Sequence, residues 1–168
     1  AAVGLVVAGP PALEAPVEGI AVAGDSAGGN LALYVAGEKG AAGLLGQFLI
    51  YPAGDCTSPE HGSYREFAEG YLLDRLLMDR FIGDYLPDEA ERADGRVSPL
   101  VGRFPQDMPP AVILTAGLDP LRDQGRDIAG RIAAQGREVH YIEAEGLIHG
   151  MATMRKAFPT GDRIIRRA

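Results

Sequence analysis

Residues 20–30 read Ile20-Ala21-Val22-Ala23-Gly24-Asp25-Ser26-Ala27-Gly28-Gly29-Asn30. The run up to Gly24 is apolar and does not alternate, which predicts a short buried strand over residues 20–24. After Ser26 the spacing changes. Leu31, Tyr34 and Val35 fall at i, i+3 and i+4, predicting a helix from Ala27 to about Glu38 that Gly37 and Gly40 close. A strand turning sharply into a helix through Gly24-x-Ser26-x-Gly28 has a mechanical consequence. The glycines permit a tight bend and keep Cβ atoms away from neighbouring strands, so Ser26 projects at the carboxyl edge of the sheet. The helix start aims free N–H groups and a positive dipole end at the same place, and Ala27 N–H is the natural first donor there. The stretch also fits a plain glycine-rich turn or a phosphate-binding loop, although it lacks a P-loop lysine and the spacing of a dinucleotide fingerprint.

Outward from this turn, strand and helix patterns alternate. Leu44–Tyr51 predicts a second buried strand, ended by Pro52. Residues 53–72 are turn-rich and irregular. A helix follows Asp74, which caps it, with Leu77, Phe81 and Tyr85 on one face, Met78 and Ile82 beside them, and Pro87 as its stop. Residues 88–110 form a polar, proline-rich connection. Ala111–Ala116 is a third strand, Asp123–Gln135 a helix with Ile128, Ala129, Ile132 and Ala133 on one stripe, and Val139–Ala144 a fourth strand. A last helix starts near Met151. The pattern predicts an α/β fold of about four parallel strands with helices on both faces, those at 27–38 and 123–135 on opposite sides. Gly4–Ala8 reads locally as a further strand.

In such sheets, functional groups gather at the carboxyl ends of strands. A serine nucleophile needs a base, and the base needs an orienting acid. The chain has three histidines. His61 lies in the irregular stretch and reads as a surface residue; His140 falls within the fourth strand and reads as a packed strand residue. His149 follows that strand in a glycine-bracketed loop, Gly146-Leu147-Ile148-His149-Gly150. Asp119 follows the third strand, where it also suits a turn or cap before Pro120; Asp123 suits the cap of the next helix. Ser26, Asp119 and His149 thus lie past three different strands, in the order Ser…Asp…His expected of an α/β-hydrolase.

Composition narrows the alternatives. The 168 residues carry 16 basic and 23 acidic side chains, a formal charge of −7, which disfavours nucleic acid as a partner. The basic cluster Arg163–Arg167 reads as a solvated helix end. No apolar run approaches the roughly 20 residues of a membrane span, and Ala1–Val7 has no basic leader region. Cys56 is the only cysteine, so no internal disulfide forms and a cytoplasmic location is expected; beside Asp55 and Thr57 it reads as a bystander.

At the three site stretches the chain resembles the hormone-sensitive-lipase-type esterases, the bacterial family IV carboxylesterases of the α/β-hydrolase fold-3 group. Gly24-Asp25-Ser26-Ala27-Gly28-Gly29-Asn30 is similar to that family's nucleophile motif, Asp119-Pro120-Leu121-Arg122-Asp123 to its acid motif, and Ile148-His149-Gly150-Met151 to its histidine motif. Ser98-Pro99-Leu100 and Pro109-Pro110-Ala111 recur there too, so the likeness spans about residues 17–160. It implies a serine carboxylic-ester hydrolase with Ser26, Asp119 and His149 as triad, and Gly24, Asp25, Ala27 and Gly28 forming the elbow and oxyanion side. It implies a small-molecule ester substrate, short acyl chains among them, and neither metal nor organic cofactor. Amidases, deacetylases and small-molecule-sensing receptors share the fold.

The family's domain is longer. Its first half supplies a cap, the first strands and a His-Gly-Gly-Gly loop with oxyanion donors, and this sequence contains no His-Gly-Gly-Gly. Residues 1–168 therefore read as the C-terminal part of one incomplete catalytic domain, with residues 53–110 including a long irregular and helical insertion. The resemblance puts the end of a helix at Gly4–Ala8, against the local strand reading. Without neighbours, the strand at 20–24 becomes a sheet edge open to pairing with another copy as a homodimer. Weak turnover or none is expected of this chain. The competing reading is a non-catalytic binding or interaction module derived from a truncated hydrolase.

Overall fold

The computed structural model describes residues 18–58 and 62–168. Gly4–Ala8 and His61 lie outside the described residues. Four strands, β1 (Ala21–Asp25), β2 (Gly46–Ile50), β3 (Ala111–Leu118) and β4 (Val139–Ile148), form one parallel sheet in the order β1-β2-β3-β4. Between them run α1 (Ala27–Lys39), α2 (Gly62–Glu66), α3 (Arg75–Tyr85) and α4 (Arg122–Ala133), and α5 (Pro159–Ile165) ends the chain. The fold is of the α/β class, four parallel strands with helices on both faces.

The two long crossover helices share one face, contrary to the sequence expectation. Leu33 and Ala36 of α1 and Ile128 and Ile132 of α4 pack in a single core with Leu49 and Ile113 of the central strands. Right-handed crossovers explain this: the strand order advances in one direction without reversal, so each connection returns over the same side. On the other face, Leu114, Ala116 and Ala144 pack with Met151, Phe158 and Ile164, so α5 supplies the second layer. A third cluster of Cys56, Tyr64, Leu73, Met78, Ile82, Leu86 and Leu121 holds the β2–β3 connection against the sheet's carboxyl end.

Several local expectations shift. The stripe Leu31, Tyr34 and Val35 does not anchor α1; Leu31 and Tyr34 are exposed, while Ala32, Leu33 and Ala36 are buried. Gly37 lies inside this helix, and Gly40, with φ +66°, follows it. In α3 the buried pair is Met78 and Ile82, and Leu77, Phe81 and Tyr85 face outward. The Asp74 side chain does cap α3, accepting from Leu77 N–H at 2.8 Å. Residues 62–66, expected to be irregular, form α2 because Ser63 and Asp123 hold each other. Ser63 N–H donates to Asp123 Oδ2 at 2.8 Å, and Asp123 N–H to Ser63 Oγ at 3.0 Å. The last helix starts at Pro159, not near Met151; residues 149–157 run as turns. His140, expected to be packed, is exposed on β4, which borders the described sheet on one side.

Candidate active site

Ser26 stands between β1 and α1 with φ 53° and ψ −120°. A non-glycine residue with positive φ is strained and persists only where its surroundings hold it. Here Ser26 N–H donates to Ile50 O at 2.9 Å, and Asn30 N–H to Ser26 O at 3.1 Å. Gly24 makes the turn sterically possible, since a Cβ there would lie 2.1 Å from Gly28 O. Gly28 itself has room, its Cβ position meeting only Asp25 Oδ1 at 3.9 Å; the crowded neighbour is Gly29, 2.9 Å from Pro52 Cβ. Asn30 is buried, and its amide donates to Ala53 O and Val97 O, both at 2.9 Å, tying α1 to the β2–β3 connection. Ala27 opens α1, where backbone N–H groups have no partner within the helix.

Asp119 lies one residue past β3 and is fully buried. Its Oδ1 accepts from Leu121 N–H at 2.8 Å, and its Oδ2 lies 2.7 Å from His149 Nδ1. His149 Nε2 lies 2.9 Å from Ser26 Oγ. A carboxylate only accepts, so Nδ1 carries the hydrogen and Nε2 is free to accept from the serine hydroxyl. The structure thus brings together all three residues that the sequence singled out.

A shift in strand register produces this meeting. Thr115 pairs with Glu143 and Ala116 with Ala144, but Leu118 pairs with Ile148. An unbroken ladder would set Leu147 beside Asp119. The extra residues on β4 set His149 there instead, a bulge re-aiming a side chain at the end of a sheet.

A cavity of about 370 Å³ opens beside Ser26 and is walled mainly by apolar side chains, among them Leu31, Met78, Phe81, Ile82 and Tyr85. Cys56 also lines it; burial pushes its thiol up, so it stays protonated, and Sγ donates to Val97 O at 3.5 Å. Asp25 accepts from Tyr51 Oη–H at 3.4 Å, and as a carboxylate it offers no donor toward an oxyanion. Ser98 is fully buried, accepting from Cys56 N–H at 2.7 Å and donating to Arg92 O. Among the described residues, no group of three or more His, Cys, Asp or Glu is placed to hold a metal ion. Nor is any helix there long and apolar enough to cross a membrane.

Sequence reasoning passed over Tyr51. It is fully buried, and its ring centroid lies 4.3 Å from that of His149. Its one signal was adjacency to Pro52 at the end of a strand.

The family model described as the alpha/beta hydrolase fold matches residues 1–153. The chain is 37% identical to the carboxylic ester hydrolase LipN of Mycobacterium tuberculosis, over 80% of this chain and 38% of that protein. It is 34% identical to the ethyl acetate hydrolase of Pseudomonas putida, over 90% and 48%. The structure of the Pyrobaculum calidifontis esterase superposes with a TM-score of 0.88 at 30% identity, over 99% of this chain and 56% of that one. The chain spans about half the length of the curated relatives it matches or less. With that match over most of its length, this chain belongs to the α/β-hydrolase fold family, in its hormone-sensitive-lipase-like carboxylesterase branch.

Proposed function

We propose that this chain carries the nucleophile, base and acid of a serine carboxylic-ester hydrolase that works through an acyl-enzyme. The observation that supports this reading is the single imidazole of His149 lying between Ser26 Oγ at 2.9 Å and Asp119 Oδ2 at 2.7 Å. Ser26 Oγ attacks the ester carbonyl carbon while its proton passes to His149 Nε2. The carbonyl oxygen takes the negative charge, and Ala27 N–H at the start of α1 donates to it. Collapse of the adduct breaks the bond to the alcohol, which leaves with the proton from His149. Water, deprotonated by the same nitrogen, then cleaves the acyl-serine and frees the acid. Asp119 keeps the tautomer and stabilises the imidazolium. The cavity beside Ser26 takes an apolar part of the ester.

In this reading the backbone N–H groups at the start of α1 serve the oxyanion, and losing one such donor costs roughly 10²–10³ in rate. Weak turnover by the purified chain stays the expectation. Fluorophosphonate labelling tests the assignment, because it needs an activated serine but not efficient turnover. Labelling of the purified chain, lost in both Ser26→Ala and His149→Ala, is the expected result. A folded chain that stays unlabelled would sink it and leave a non-catalytic binding module as the better reading.

A further inference from the structure

We infer that Tyr51 is a positioning residue for His149, its buried ring fixing the tilt of the imidazole from the side that neither Asp119 nor Ser26 reaches. This inference rests on the reading of His149 as the base. Asp119 and Ser26 contact the two nitrogens at opposite ends of the ring, at 2.7 and 2.9 Å. Contacts at Nδ1 and Nε2 define an axis through the imidazole and resist rocking about that axis only weakly. Tyr51 meets the ring away from that axis, with centroids 4.3 Å apart and planes at 47°.

Tyr51 can do this because it is itself held at three points. It follows β2 with φ 35°, a strained value for a bulky residue. Its N–H donates to Leu114 O at 2.6 Å, extending the ladder beyond the strand. Its hydroxyl donates to Asp25, the residue before Ser26. Its side chain is buried in one core cluster with Leu114, Ala116, Ala144 and Met151. Burial and the Asp25 charge push the phenol well above its ordinary value, so it stays neutral and keeps donating. Tyr51 therefore links the serine turn, the centre of the sheet and the histidine loop.

The test is the ordering of the His149 ring, read by NMR relaxation of its carbon–hydrogen bonds with the chain's other two histidines as internal references, beside the rate of Ser26 labelling by a fluorophosphonate. Tyr51→Phe keeps the ring and is expected to retain the wild-type ordering and labelling within about twofold. Tyr51→Leu is expected to loosen the imidazole and slow labelling roughly tenfold. Tyr51→Met fills the space with a flexible chain, covers the case of a leucine variant that does not fold, and is expected to behave as leucine does. Unchanged ring order and labelling in a folded leucine or methionine variant would overturn the inference, as would a phenylalanine variant as impaired as leucine. A wild type that is never labelled would instead count against His149 as the base, with the NMR comparison still deciding whether Tyr51 holds its ring.

Discussion

A Cβ placed on Gly24 would lie 2.1 Å from the carbonyl oxygen of Gly28, closer than real side-chain carbons approach a backbone oxygen. The strand entering the serine turn and the first turn of α1 are therefore pressed together at a point where only glycine fits. Gly24→Ala is expected to lose more than about 3 kcal/mol of stability, since backbone on both sides must move. Gly28→Ala, whose new methyl has room, is expected to stay within about 1 kcal/mol of the parent, or to gain through helix propensity. Urea denaturation of both variants checks the contrast. Equal losses would mean that crowding at Gly24 is not what shapes the turn.

Asp119→Asn probes the other end of the site. The amide keeps an oxygen for Leu121 N–H but presents an NH₂ group to His149 Nδ1, reversing the tautomer. Labelling of Ser26 is expected to fall by about 10³–10⁴-fold, the scale seen when an orienting acid is lost in this way. A fall of less than tenfold, measured as a rate constant on folded protein, would remove Asp119 from the role of acid.

Phe81 is more than half exposed yet walls the cavity beside Ser26. Phe81→Ala is expected to cost little stability, because the side chain buries little surface. If the cavity receives the apolar part of a ligand, labelling by a long-chain alkyl fluorophosphonate should drop about tenfold, with a short-chain probe changing less than threefold. Equal effects on the two probes would place the apolar group elsewhere.

Acid sensitivity follows from Asp123. Burial raises its pKa, but the Arg122 guanidinium, the Ser63 N–H and Arg126 outweigh this and hold the carboxyl below its ordinary value. With the folded value depressed, the native state binds fewer protons than the unfolded chain near pH 4. The stabilisation is present at neutral pH and fades as pH falls through the unfolded and then the folded value. Asp123→Asn is expected to destabilise by about 0.5–1 kcal/mol at pH 7, discounted for the partial exposure of the pair, and by less at pH 3. Urea midpoints at the two pH values decide it; an equal loss at both would show that the charge is not the source.

How far the sequence could be read depended on whether the signal was local. Ser26 was legible because the change from an apolar run to helical spacing, with glycines at fixed offsets, is written within a few neighbouring residues. Asp119 and His149 were legible as polar residues just past strands. The outward faces of α1 and α3 were misread because periodicity finds an apolar stripe without saying what covers it. Leu31, Phe81 and Tyr85 are exposed where they border a cavity, while Ala36, Met78 and Ile82 are buried in the core, the last two lining that cavity as well. The shared face of α1 and α4 depended on strand order, which alternation alone leaves open.

By itself, then, the sequence determined the alternation of strands and helices, the glycine-lined serine turn and the residues at the strand ends, because each follows from local spacing and backbone sterics. The tertiary structure decided the rest. The register shift between Ala116 and Leu118 chose His149 over Leu147 as the neighbour of Asp119, and the end of β2 put Tyr51 against that imidazole. Both are relations between segments far apart in the chain. They are set by which backbone groups pair and how the core fills, and no short window of residues carries that information.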